Sequence, residues 1–172
     1  DIVLLKIDNL GNQIFFKSYG NQAFPNHEWG YDLLQLYDDS FLIVGSRDRY
    51  ESGSKNILIM RVDNNGKLMW EKELITTDNT FEEAYSISSD KKGGFFITSS
   101  VNDKIYKNNY SPRIIKIDSF GNTYWDRKLN ANALEYHQFR GFSTQEGNYL
   151  VAGTSIYDEK SNLKSDSFIT LI

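Results

Sequence analysis

Residues 57–74 read ILIMRVDNNGKLMWEKEL, and the same pattern stands twice more, as LLKIDNLGNQIFFKSY at residues 4–19 and IIKIDSFGNTYWDRKL at residues 114–129. The acid before the turn falls at Asp8, Asp63 and Asp118, and the turn glycine at Gly11, Gly66 and Gly121; both series step by 55 residues. A fourth copy opens near the end as SFITLI and stops one residue short of its Asp. The chain is an internal repeat, and the quoted stretch is a hairpin: an Asp that can hold backbone amides just downstream, and a Gly that tolerates positive φ. These turns lack the further oxygen ligands and the closing Glu of a calcium loop.

Four residues past each glycine stands a large aromatic (Phe15, Trp70, Trp125), two further a base (Lys17, Lys72, Arg127), and two beyond that Tyr19, Leu74 or Leu129. A period of two is that of a strand with one face against a neighbouring layer, with the base laying its stem on the aromatic. A second strand pair follows: Tyr31 to Leu36, Tyr85 to Asp90 and Phe139 to Thr144, then a tight turn, then Phe41 to Gly45, Phe95 to Ser99 and Tyr149 to Gly153. These runs are β-branched and aromatic, too short for helices and bounded by turn residues. The small residue at Gly45, Ser99 and Gly153 points to a close backbone approach. The segments Gly20 to Gly30, Ile75 to Ala84 and Asn130 to Gln138 are expected as variable loops, and so are Arg47 to Lys55, Asn102 to Ser111 and Tyr157 to Ser165.

In 172 residues, 40% are apolar, 24% charged and 15% aromatic, as in a folded globular chain. A net charge of −4 argues against a nucleic-acid surface, because a basic excess is the usual footprint there. The bases near the aromatics are offset by Glu71, Glu73 and Asp126. Without cysteine there is no disulfide framework and no thiolate metal site. No apolar run approaches the ~18 residues that span a bilayer, so no membrane insertion is expected. The chain opens on Asp with no leader, and its repeats lack atypical caps, so it is expected to be cut from something longer.

Four short strands in a repeat of this length are the strand count and period of a propeller blade. The run Ile114-Ile115-Lys116-Ile117-Asp118 through Trp125, continued by Glu146-Gly147-Asn148-Tyr149-Leu150-Val151-Ala152-Gly153, resembles a bacterial propeller-type repeat of secreted or surface proteins. The first copy departs from it with Phe15 for Trp, and the second with Thr98-Ser99 for Ala-Gly. The resemblance implies an all-β, propeller-like array of four-stranded antiparallel blades and an extracellular, cell-surface or periplasmic location; it carries over no catalytic residue. One repeat domain is expected over residues 1–172, with units near 1–56, 57–111 and 112–165 and the start of another at 166–172. About three blade equivalents do not readily surround an axis, since propellers close with four to eight. A part of a larger ring, or a homo-oligomer joined through open blade edges, is therefore expected.

Candidate function rests on the segments before each first strand. Counted by the repeat, Glu28, Glu82 and Tyr136 share one position and Trp29, Glu83 and His137 the next, with His27 and Glu135 alongside. Acids, His and aromatics gathered there suit ligand binding; two acids and a His are also a set that can hold a metal or do acid–base work, although these come from different blades. No Gly-x-Ser-x-Gly elbow, P-loop or dinucleotide fingerprint occurs, and no cofactor is implied. Trp29, Tyr50, Tyr106 and Tyr110 are candidates for stacking on sugars or meeting a protein. Since the recurring elements are structural and the diversity lies in the connecting segments, the favoured expectation is a non-enzymatic module presenting them to protein or glycan. The alternative is a carbohydrate-active hydrolase or lyase using Glu28, Glu82, Glu135 and His137.

Overall fold

The computed structural model describes residues 1–20, 26–49, 52–75, 80–103, 110–129, 135–159 and 162–171; for 103, 135–139, 155–159 and 162–171 it describes the backbone alone. Every regular element among them is a strand, so none is a helix long and apolar enough to cross a membrane. The strands fall into four successive antiparallel units. Unit I is β1 (Ile2–Ile7) and β2 (Gln13–Tyr19). Unit II is the meander β3 (Glu28–Gln35), β4 (Phe41–Arg49), β5 (Ser54–Val62) and β6 (Leu68–Leu74). Unit III repeats it as β7 (Thr80–Ser89), β8 (Phe95–Asp103), β9 (Tyr110–Ile117) and β10 (Thr123–Lys128). Unit IV is β11 (Glu135–Ser143), β12 (Tyr149–Glu159) and β13 (Asn162–Leu171). A single parallel pair, Lys55 with Phe81, links β5 to β7; otherwise each unit pairs within itself, and the sheets do not close on one another among the described residues.

The repeated Asp builds the hairpin turn. One carboxylate oxygen of Asp118 accepts the amides of Phe120 and Asn122 at 2.8 Å, while Gly121 takes φ +75° and donates its own amide to the Asp118 carbonyl. Asp8 and Asp63 make the same pair of bonds two and four residues on. In the second turn series a positive φ stands at Gly93 and Gly147, and Asp39 adopts it as well, at 62°. An Asp is among the few side chains that tolerate that region.

Among the described residues three apolar clusters form the core, and each lies between two units rather than within one. Ile2 and Leu4 of unit I meet Leu58, Met60 and Val62 of unit II, with Phe15 and Tyr19 packed alongside. Leu42, Val44, Ile57 and Ile59 of unit II meet Ile87, Ile97, Ile115 and Ile117 of unit III, with Trp70 and Leu74 at their edge. Phe96 and Ile114 of unit III meet Tyr149 and Val151 of unit IV, with Trp125 alongside. Alternation along the third strand decides which neighbour a residue serves: in β5, Ile57 and Ile59 face forward, while Leu58, Met60 and Val62 face back. The aromatic and base of β2 and of β6 then seat on the next unit's turn. A Cβ at Gly66 would touch Phe15 and Lys17 at 3.0 Å, and one at Gly121 would touch Trp70 at 3.0 Å and Lys72 at 3.1 Å. Lys72 donates to Asn122 Oδ1 at 2.8 Å, Tyr19 donates to the Gly66 carbonyl at 2.7 Å, and Arg61 reaches the Ser119 carbonyl at 3.1 Å.

The first strands are longer than their alternation suggests. Register shifts between Gly30 and Asp32, between Ala84 and Ser86, and between His137 and Arg140 are bulges, and the strand continues upstream of each. A bulge inserts a residue and breaks the period of two. Glu28, Trp29, Glu82, Glu83, Glu135, Tyr136 and His137, expected in loops, therefore stand in β3, β7 and β11. The later loops shorten likewise, since β4 runs to Arg49 and β5 starts at Ser54. The close approach expected at Gly45 is real: a Cβ there would run into the Trp29 carbonyl oxygen beside the bulge.

Candidate ligand-binding ledge

The upstream ends of β3 and β7 carry a buried acid at the same repeat position. Glu28 and Glu82 lie under the surface, and Glu82 is 0% exposed. An isolated buried carboxylate is costly, and each has an arginine. Arg47, on β4, donates to Glu28 at 3.1 Å and turns its other nitrogens to Glu71 and Glu73 on β6 at 3.0 and 2.9 Å. Arg113, on β9, donates to Glu82 at 2.6 Å and to Asp126 on β10. Glu71 and Asp126 are equivalent, 55 residues apart. The same acid–arginine–acid bridge is thus built twice, with the arginine supplied from the second strand in unit II and the third in unit III. Arg113 divides its charge between two acids, and burial prevails at Glu82, whose pKa lies above its ordinary 4.5 despite that partner.

Beside these buried acids lies a more open cluster. The Lys55 ammonium sits 4.1 Å from the centre of the Trp29 ring and 2.7 Å from Glu83, so it joins units II and III where β5 meets β7. The His27 ring lies 5.9 Å from Trp29, tilted by 45°, and is exposed. Tyr85 donates to Glu83 at 2.8 Å, with Ser100 Oγ 3.2 Å away. Tyr31 lies 5.9 Å from Tyr85 across the junction. Burial, then the charges of Glu83 and Asp48, push the Tyr31 hydroxyl up to about 12, and burial pushes Tyr85 up as well. Both tyrosines stay neutral hydrogen-bonding groups over the working pH range. The result is a ledge with aromatic edges, an ammonium and a carboxylate, groups that can hold hydroxyls and ring faces.

Five of the eight residues singled out in the sequence reach this region in two layers. Glu28 and Glu82 are buried, and Trp29 and Glu83 lie on the ledge with His27 beside them. Glu135, Tyr136 and His137 begin β11 opposite Ile156, Ser155 and Thr154, and their side chains lie outside the described residues, as do Tyr50 and Tyr106 altogether. Tyr110 is half-buried at the start of β9. Among the described residues, no group of three or more His, Asp or Glu is arranged to hold a metal. Sequence reasoning missed Lys55, Tyr31, Tyr85, Arg47 and Arg113. The tyrosines had a signal, because Tyr31 and Tyr85 are repeat equivalents; the arginines had none, because they occupy different strands.

No protein-family model matches the chain, and no curated protein is found to be a relative of it. The crystal structure of endo-arabinase from Bacteroides thetaiotaomicron VPI-5482 is similar in fold, with a TM-score of 0.51 at 14% sequence identity over 94% of this chain and 61% of that one. The chain thus spans less than two thirds of that structure's length. At this identity the likeness speaks for the all-β architecture alone.

Proposed function

We propose that the chain is a non-catalytic binding module, an arc of propeller-type blades whose ledge around Trp29 takes a carbohydrate ligand at the cell surface or in the periplasm. The observation that carries this reading is the fate of the repeated acids. Glu28 and Glu82 are each tied to an arginine beneath the surface, while His27, Trp29, Tyr31 and Glu83 form the accessible layer. Glycoside cleavage by two carboxylates needs both groups facing the substrate, about 5–10 Å apart. Acids held in bridges between strands instead keep the sheet in register. Tyrosine, tryptophan and a charged pair in a shallow site are the groups that orient sugar hydroxyls and ring faces.

The test is a glycan array followed by calorimetry, with Trp29→Ala and Tyr31→Ala as probes. Specific binding that falls tenfold or more in both variants, with unchanged melting, supports the reading; binding indifferent to both removes it. A second reading, a carbohydrate-cleaving enzyme, is favoured only by the fold likeness to a protein titled endo-arabinase. Incubation with arabinan and related polysaccharides decides it. Reducing ends released by the wild type and abolished by Glu83→Gln would replace the binding reading.

A further inference from the structure

The junction of units II and III holds a cleft at the turn end of the sheets, away from the ledge. β3 runs from Trp29 on the ledge to Leu34 at the cleft, about 16 Å along the strand. The cleft measures about 680 Å³, and every residue lining it belongs to unit II or unit III, so both walls are internal to the array. Leu34, Leu36 and Phe95 form its floor, and Tyr37, Asp38, Asp39 and Arg61 stand at its rim. Small-molecule sites span roughly 300–1,000 Å³, with a mostly apolar lining and a few placed polar groups.

The other copies of this hairpin show what the turn itself requires. The place of Leu36 is taken by Asp90 in unit III and by Thr144 in unit IV. Both build the turn: Asp90 accepts the amides of Lys92 and Gly94 at 2.7 Å and pairs with Lys116 at 2.9 Å, and Thr144 accepts the Asn148 amide at 3.2 Å. Leu36 forgoes such bonds and packs on the apolar cluster beside Leu34, which stands where unit III has Ser88. Tyr37 replaces Lys91, and its side chain is fully exposed. Asp39 takes φ 62° where units III and IV place Gly93 and Gly147, the residue that such a φ favours. Neither the apolar floor nor the acid at the rim is therefore a demand of the hairpin.

The charge at the rim narrows the ligand. Arg61 is committed: its guanidinium donates to Ser40 Oγ and to the Ser119 carbonyl, each at 3.1 Å, and to Asp38 at 2.6 Å. Asp39 accepts from the Gln35 side-chain amide at 3.2 Å, a neutral donor that leaves its negative charge in place. Two acids against one base give the lining a net negative charge. We infer that the cleft takes a small ligand joining a flat apolar ring to a cationic amine. The ring lies between Tyr37 and the floor of Leu34, Leu36 and Phe95, and the ammonium meets Asp39. A ring of the same size bearing a carboxylate is repelled by that acid. The site is separate from the ledge and does not depend on what the ledge binds.

The experiment follows backbone amide resonances of the isotope-labelled chain while tryptamine, or its anionic counterpart indolepropionate, is titrated in. Tryptamine is expected to give saturable shifts at Leu34, Leu36 and Phe95, and indolepropionate to bind at least tenfold more weakly. Asp39→Gly, which installs the residue of units III and IV, should abolish that preference. Leu36→Asp combined with Tyr37→Lys, the pair that unit III carries at these positions, should weaken tryptamine tenfold or more. Circular dichroism checks its fold, and Tyr37→Ala, at a fully exposed position, gives a second probe that should weaken tryptamine severalfold. The inference is overturned by a wild type that gives no saturable shift at the floor, or that binds both probes equally. Shifts centred on Trp29 and Glu83 overturn it as well, because they put the amine on the ledge. So does tryptamine binding that is undiminished in Tyr37→Ala and in the double variant.

Discussion

At the residue scale, one glycine position does different work in successive copies. Gly66 and Gly121 need both positive φ and the absence of a side chain, since an aromatic and a lysine from the preceding unit stand 3.0–3.1 Å from where a Cβ would be. Gly11 needs only the backbone freedom. Left-handed φ costs an alanine roughly 1–2 kcal/mol, and overpacking adds about 1–3 kcal/mol more. Gly66→Ala and Gly121→Ala are therefore expected to lower unfolding stability by about 2–5 kcal/mol, and Gly11→Ala by about 1–2 kcal/mol, in urea titrations of dilute chain. Equal losses at all three would mean that the turn packing is energetically idle. The turn acids also set a pH dependence. At Asp118 burial opposes ionisation, but the amide and side chain of Asn122, the Phe120 amide and Lys72 prevail, and the pKa lies below 3.8. Asp8 is lowered too, by the Asn12 side chain and nearby amides. Carboxyls depressed in this way contribute stability that is present above 3.8 and lost as pH falls through their folded values. The melting temperature is expected to drop below about pH 4. The deficit of Asp118→Asn at neutral pH should shrink over the same range, and a constant deficit would contradict the assignment.

At the scale of the element, the paired bridges explain how two copies tolerate different arginines. The requirement is a cation between a buried acid on the first strand and an acid on the fourth; either intervening strand can supply it. Removing Arg113 would leave Glu82 buried without its counter-charge, a loss of about 3–5 kcal/mol, whereas replacing both by apolar residues is often neutral. Arg113→Leu should therefore destabilise severely, and Glu82→Leu with Arg113→Leu should recover most of the loss in the same denaturation experiment. Failure of the double variant to recover would show that Asp126, not Glu82, is the partner that matters. The bulges act at this scale as well. They carry each first strand beyond where alternation stops, turning expected loops into sheet and placing Trp29 and Glu83 on a rigid ledge.

At the scale of the molecule, the core lies between units, so stability is a sum of neighbour contacts rather than one central cluster. Ile59→Ala, at the junction of units II and III, should cost about 2–5 kcal/mol and loosen both units together. Hydrogen exchange reads this directly. Amides of β5 and β9 are expected to exchange slowest and those of β1 fastest, because Val3, Leu5 and Ile7 of β1 stand more than half exposed. Uniform protection along the array would contradict a core divided among interfaces.

What could be read from residues alone was the local grammar: the Asp–Gly turns, the aromatic and base two apart, the four-strand period and the equivalence of Glu28 with Glu82. Those features depend on neighbours within a few positions and on the repeat itself. Which side each strand turns, and to whom, was decided only by the folded array. A bulge reverses side-chain parity without leaving a mark in composition, and so hid Glu28 and Glu82 beneath the surface that the sequence assigned to them. Lys55 and the two arginines reach their partners from strands that the sequence alone did not bring together. Ion pairs and aromatic contacts form between residues that are close in space, and for residues some 20–30 positions apart only the packing of one sheet on the next sets that proximity.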